Sequence, residues 1–137
     1  MFSTISNELY TIINWLIATT KLASVFNYDV KEYTSVPCAT ITPLDVTEWV
    51  LDTVTNIDTL PFRIRVVDKN KDLANMEARM RTLADDILAE LRKKENITLW
   101  WNACNMTFTI GWGWIDDSQP MRIFDITCIV TVTNSII

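Results

Sequence analysis

The stretch "LDTVTNIDTLPFRIRVVD", Leu51–Asp68, decides how the chain folds. Its second half alternates. Phe62, Ile64 and Val66 fall on one side of an extended chain, and Arg63 and Arg65 on the other. That period of two marks a strand with one buried face. Just upstream, "EWVLDTVTNID" (Glu48–Asp58) is rich in Val, Thr and Trp, residues that suit a strand. Asn56 to Thr59 carry turn chemistry. The two runs therefore read as a hairpin.

Outward from this hairpin the signals stay strong. On the C-terminal side, Leu73, Met76, Met80, Leu83, Ile87 and Leu91 step by three and four residues. That spacing predicts a helix from Asp72 to about Lys94. Asp72 is the expected N-cap, and Arg92, Lys93 and Lys94 would complement the dipole in the last turn. Two long strands follow, one starting near Asn102 and one over Met121–Thr133, joined by the turn cluster "DDSQP". In the second, Phe124, Ile126, Cys128, Val130 and Val132 share a face. On the N-terminal side, Pro37 and Pro43 bracket a short apolar strand of edge or boundary character. Before it, Ile5, Leu9, Ile12, Ile13, Leu16 and Ile17 predict a helix that ends before Asn27, with Ser3, Thr4 or Ser6 as cap. The order is α-β-β-β-α-β-β. It implies one α+β domain over residues 1–137: an antiparallel sheet of about four to five strands with helices packed on one face.

Composition narrows the function. The chain has 137 residues, 49% of them hydrophobic, with 12 basic and 17 acidic residues and a net charge of −5. A protein that grips nucleic acid through phosphates needs the opposite balance. No histidine is present, so the commonest general base and metal ligand is missing. Three widely spaced cysteines, Cys38, Cys104 and Cys128, lie in apolar segments and read as small buried hydrophobes. Asp116 and Asp117 read as a turn, and Asp85 and Asp86 as a solvated helix face. The N-terminus lacks a basic leader region, and the run near "IINWLIA" is too short to span a bilayer. The expectation is a protein that is not an enzyme, with no catalytic residues, no metal and no cofactor.

Binding residues are a different matter. In "TFTIGWGWIDD" (Thr107–Asp117) the chain places both of its glycines, Gly111 and Gly113, beside Trp112 and Trp114. As a strand, Met106, Phe108, Ile110, Trp112 and Trp114 share one face, and Thr107, Thr109, Gly111 and Gly113 the other. The first face reads as core or interface, and the second as a surface that something approaches closely. Trp100 and Trp101 are adjacent, so in an extended segment they point to opposite faces. Arg63 and Arg65 form a basic row, expected to meet acidic residues of a neighbouring strand or subunit. These six, Arg63, Arg65, Trp100, Trp101, Trp112 and Trp114, are the candidate subunit or partner interface.

A helix, a short "VPCATI" strand, the threonine-rich "DTVTN" segment leading into "FRIRV", an amphipathic helix and two closing strands together resemble the tail terminator (tail completion) proteins of long-tailed bacteriophages and related minor tail or neck proteins. The likeness covers nearly the whole order of elements. It implies a structural virion protein, assembled in the host bacterial cytoplasm. Such a subunit would form a ring, expected to be hexameric, on the tail-tube protein, end tube growth and present a surface to the head-side connector or neck protein. Genomic DNA would pass through the lumen only as cargo, and no membrane is involved. Three alternatives stay open: a stopper-type connector, a monomeric adaptor or ligand-binding module with exposed tryptophans, and a small enzyme using Asp116 and Asp117.

Overall fold

The computed structural model describes residues 2–18, 22–28, 30, 35–44, 47–50, 55–69, 72–93, 104–115 and 121–135. Helix α1 spans Phe2–Ala18 and α2 spans Leu73–Leu91. The strands are β1 (Ser24–Phe26), β2 (Cys38–Pro43), β3 (Thr47–Val50), β4 (Thr55–Asp68), β5 (Cys104–Ile115) and β6 (Met121–Ser135). The fold is α+β, with both helices contributing to one core against the sheet. The expected order holds with one addition: the three-residue β1 precedes β2 and pairs with it in parallel. The sheet is therefore mixed and six-stranded, in the order β1-β2-β4-β6-β5, with β3 beside the first half of β4. Every other pairing is antiparallel.

The long strands β4 and β6 form the middle of the sheet. Leu60, Phe62, Ile64 and Val66 stand opposite Val130, Cys128, Ile126 and Phe124, and all eight are buried. Met76, Met80, Leu83, Ile87 and Leu91 of α2 and Ile5, Leu9, Ile12 and Ile13 of α1 close the core above them. Burial of such aliphatic and aromatic side chains is the main source of stability. Cys38 and Cys128 are free, buried thiols. Burial pushes the Cys128 thiol up to about 12, which leaves it an inert hydrophobe.

Several local expectations need correction. Asn56–Thr59 is strand, not turn: these residues pair with β3 on one side and β6 on the other, and two ladders outweigh their turn propensity. The link from β3 to β4 therefore falls in 51–54, outside the described residues, as does "DDSQP". Ser3, Thr4 and Ser6 cannot cap α1, because it begins at Phe2; the Ser6 hydroxyl instead meets the Asn27 side chain. Asp72 does cap α2, accepting from the Asn75 N–H at 3.2 Å. Leu73, counted in the apolar stripe, is exposed. Arg92 and Lys93 lie beyond the last turn, with Arg92 at the C-cap.

Pro61 sits inside the central strand β4, where a missing N–H is normally excluded. Register explains the tolerance. On that side β2 pairs with residues 62–67 and β3 with 56–59. Pro61 falls in the gap between the two neighbours, so no ladder bond is lost. Its carbonyl is used, accepting from the Leu44 N–H at 2.8 Å.

Candidate functional site

The two described helices do not reach across the whole sheet. Along β5, Met106 is buried and Phe108 lies against the core, but the same face then leaves it. Ile110 is 39%, Trp112 40% and Trp114 50% exposed. On the opposite face Thr107, Thr109 and Gly111 are exposed too. β5 is the last strand of the sheet, and no described strand pairs with its outer side. The segment from Thr109 to Trp114 thus has exposed residues on both faces and an outer edge that no described strand covers.

Two side chains brace it from below. Trp112 packs on the buried ring of Phe124 with centroids 5.1 Å apart, a tilted geometry that aromatic pairs favour. The Arg122 guanidinium lies 5.2 Å from the Trp112 ring and 5.1 Å from the Trp114 ring, within cation–π range of both. Each of its three nitrogens donates. Nε and Nη2 donate to the Glu77 carboxylate of α2 at 2.9 and 3.1 Å, and Nη1 donates to the Gly113 carbonyl at 3.1 Å. Helix α2 therefore holds the edge strand and both indoles through one arginine. The Arg122 hydrogen bond keeps the Glu77 carboxyl below its ordinary value of 4.5. A carboxyl lowered by folding stabilises fully above its unfolded value and loses that contribution as pH falls through its folded one. Glu77→Gln should accordingly be less stable than the wild type near neutrality and approach it in acid. Urea titrations of both proteins from about pH 3 to about pH 7 check this, and a gap that persists at the acid end would refute it.

The other face of the sheet carries a separate row. Arg65 stands across from Asp125 and grips it at 2.7 and 2.9 Å, so the expected acidic partner lies on a neighbouring strand of the same chain. Arg63 stands between Thr42 and Thr127. Gly111 continues the row beyond Asp125. The candidate residues thus divide: Trp112 and Trp114 lie on the helix-covered face, Arg63 and Arg65 on its reverse, and Trp100 and Trp101 outside the described residues. Sequence reading missed Arg122 and Glu77.

Within the chain itself the glycines are not required by backbone conformation or by crowding. Neither has a positive φ. A Cβ at Gly111 would meet nothing within 4 Å, and one at Gly113 would touch only Ile123 at 3.6 Å. Among the described residues nothing would crowd a side chain at either position. Gly111→Ala should therefore stabilise the free chain slightly, by at most about 1 kcal/mol, because glycine in a strand gives up more unfolded-state entropy. Denaturant unfolding reads this directly, and a clear loss of stability would mean a neighbour does occupy that space.

Among the described residues no cluster of three or more His, Cys, Asp or Glu can hold a metal. No described helix is long and apolar enough to cross a membrane. No family model matches the chain, and no curated protein matches it.

Proposed function

We propose that the protein is a structural, non-catalytic subunit that self-assembles through β5. The ring it forms is of the kind made by tail terminator proteins of long-tailed phages and is expected to be hexameric. It would sit on the tail tube, end tube growth and join the tail to the head-side neck within the virion, with DNA passing through its lumen. One observation carries the assembly reading: the uncharged segment Thr109–Trp114 has exposed residues on both faces and an edge that no described strand pairs with. An edge strand without Lys, Glu or Pro is an invitation to pair, and Trp is among the residues enriched where partners bind. The phage assignment rests on the resemblance in element order and in "DTVTN…FRIRV". A subunit charge of −5 fits a lumen along which DNA slides without sticking.

Native mass spectrometry with and without purified tail-tube protein tests this. A hexamer, or a smaller species that becomes a ring on the tube, is the expected result. A species indifferent to tube protein would favour a connector or adaptor instead. Trp112→Ala should reduce assembly more than it reduces stability, and unchanged assembly mass would remove Trp112 from the interface.

A further inference from the structure

We infer that in the free protein the outer edge of β5, which no described strand covers, is covered by β5 of a second copy, antiparallel, across a twofold axis at Ile110. The inference rests on the reading of β5 as the assembly surface and names the occupant of that surface.

Three observations select a second copy. The first is edge length. β5 offers twelve residues, whereas β1 at the other end of the sheet offers three. Continuing the sheet head to tail would pair three residues at most. Pairing β5 with itself about Ile110 joins Asn105 through Ile115, eleven residues. The second is charge. Two copies at −5 each repel, yet β5 contains no Asp, Glu, Lys or Arg. Among the described residues the charges flanking β5 on the sheet, Arg122 and Asp125, are already paired with Glu77 and Arg65. Contact along this strand therefore adds no close like-charge pair among the described residues. The third is shape. Side chains directly opposite in an antiparallel pair share a face. An axis at Ile110 sets Trp112 opposite Phe108 of the second copy and Trp114 opposite its Met106, while Gly111 and Gly113 meet its Thr109 and Thr107. Large apolar residues face large apolar ones, and small face small. Such an isologous contact closes on itself. It shields the edge of a subunit awaiting its target, and ring closure on the tube would require the pair to part.

Cross-linking tests the axis. In a Cys104→Ser background, with Cys38 and Cys128 buried, Ile110→Cys places two thiols on adjacent chains at the axis. Directly opposed Cα atoms are about 4.5–5.5 Å apart, within disulfide range. Thr107→Cys, three residues from the axis, would lie roughly 20 Å from its own copy at ~3.4 Å per residue. Mild oxidation should therefore convert most Ile110→Cys protein to a covalent dimer and leave Thr107→Cys monomeric. No dimer from Ile110→Cys, or equal dimer from both, overturns the inference, as does a wild-type mass showing monomer alone. The two readings fail separately. A cross-linked pair that ignores tube protein keeps the twofold contact and removes the ring. A ring built from monomers without the Ile110→Cys link keeps the ring and removes the twofold contact. A monomer that binds an extended peptide along β5 assigns the edge to a foreign strand.

Discussion

Phe124→Ala is expected to lower the unfolding free energy by about 3–5 kcal/mol, a large share of the roughly 5–15 kcal/mol that holds a domain of ordinary size together. Phe124 is fully buried on β6, the strand between β4 and β5. It stands between Val66 on one side and Trp112 on the other. Truncation loses the transfer energy of the ring and leaves a hole whose walls, two paired strands, cannot close. It also withdraws the surface beneath Trp112, 5.1 Å away. The variant should therefore show a second effect: reduced near-ultraviolet circular dichroism from the indoles at temperatures where it is still folded. Equilibrium urea unfolding gives the first quantity and the spectrum the second. A loss under about 1 kcal/mol would mean that the centre of the sheet is packed far more loosely than described.

Arg79→Ala should cost about 3 kcal/mol, at the low end for breaking a buried ion pair because Arg79 itself is 42% exposed. Its partner Asp68 has no exposed side-chain surface. Arg79 Nε donates to it at 2.8 Å, and the Lys69 N–H donates at 2.9 Å. Without the guanidinium, a carboxylate is left in the interior with one backbone donor. Asp68→Asn should cost much less, about 1 kcal/mol. The amide oxygen still accepts from Lys69, and Arg79 can turn to water. Chemical denaturation of the two variants side by side decides the matter. Equal losses would show that the charge of Asp68 is not what the pair compensates.

These two sites also show what the sequence made legible. The alternation Phe62-Ile64-Val66 and the three–four spacing of Met76 to Leu91 predict the central strand and α2, because burial imposes its period on residue choice. Asp68 and Arg122 continue the same apolar alternations, in phase with Val66 and Phe124. A charge in phase with a buried face needs a partner, and that rule could have drawn attention to both. Their partners, Arg79 and Glu77, could not be named, since they depend on how α2 crosses the sheet. Asp68 and Arg122 are cross-strand neighbours, and α2 answers each with the opposite charge. Trp112 and Trp114 were legible as a heavy apolar face. Whether that face was covered was not, because the reach of the helices across the sheet leaves no mark in β5. The turn at Asn56–Thr59 failed for a related reason: local propensity yields when both edges of a segment are paired.

The central place of β6 also constrains the order of events during synthesis. β4 ends at Asp68, but its partner along the whole of its length begins only at Met121. At 5–20 residues per second, the roughly fifty residues between them take on the order of 3–10 s to emerge. Throughout that interval β4 has one edge without a mate, and β5, once translated, has neither. The hairpin of β5 and β6 must form and then dock between residues far apart in the chain, a non-local step that slows folding. A nascent chain halted before β6 would thus expose its stickiest strands together, making the interval before β6 emerges the time when this fold most needs a chaperone.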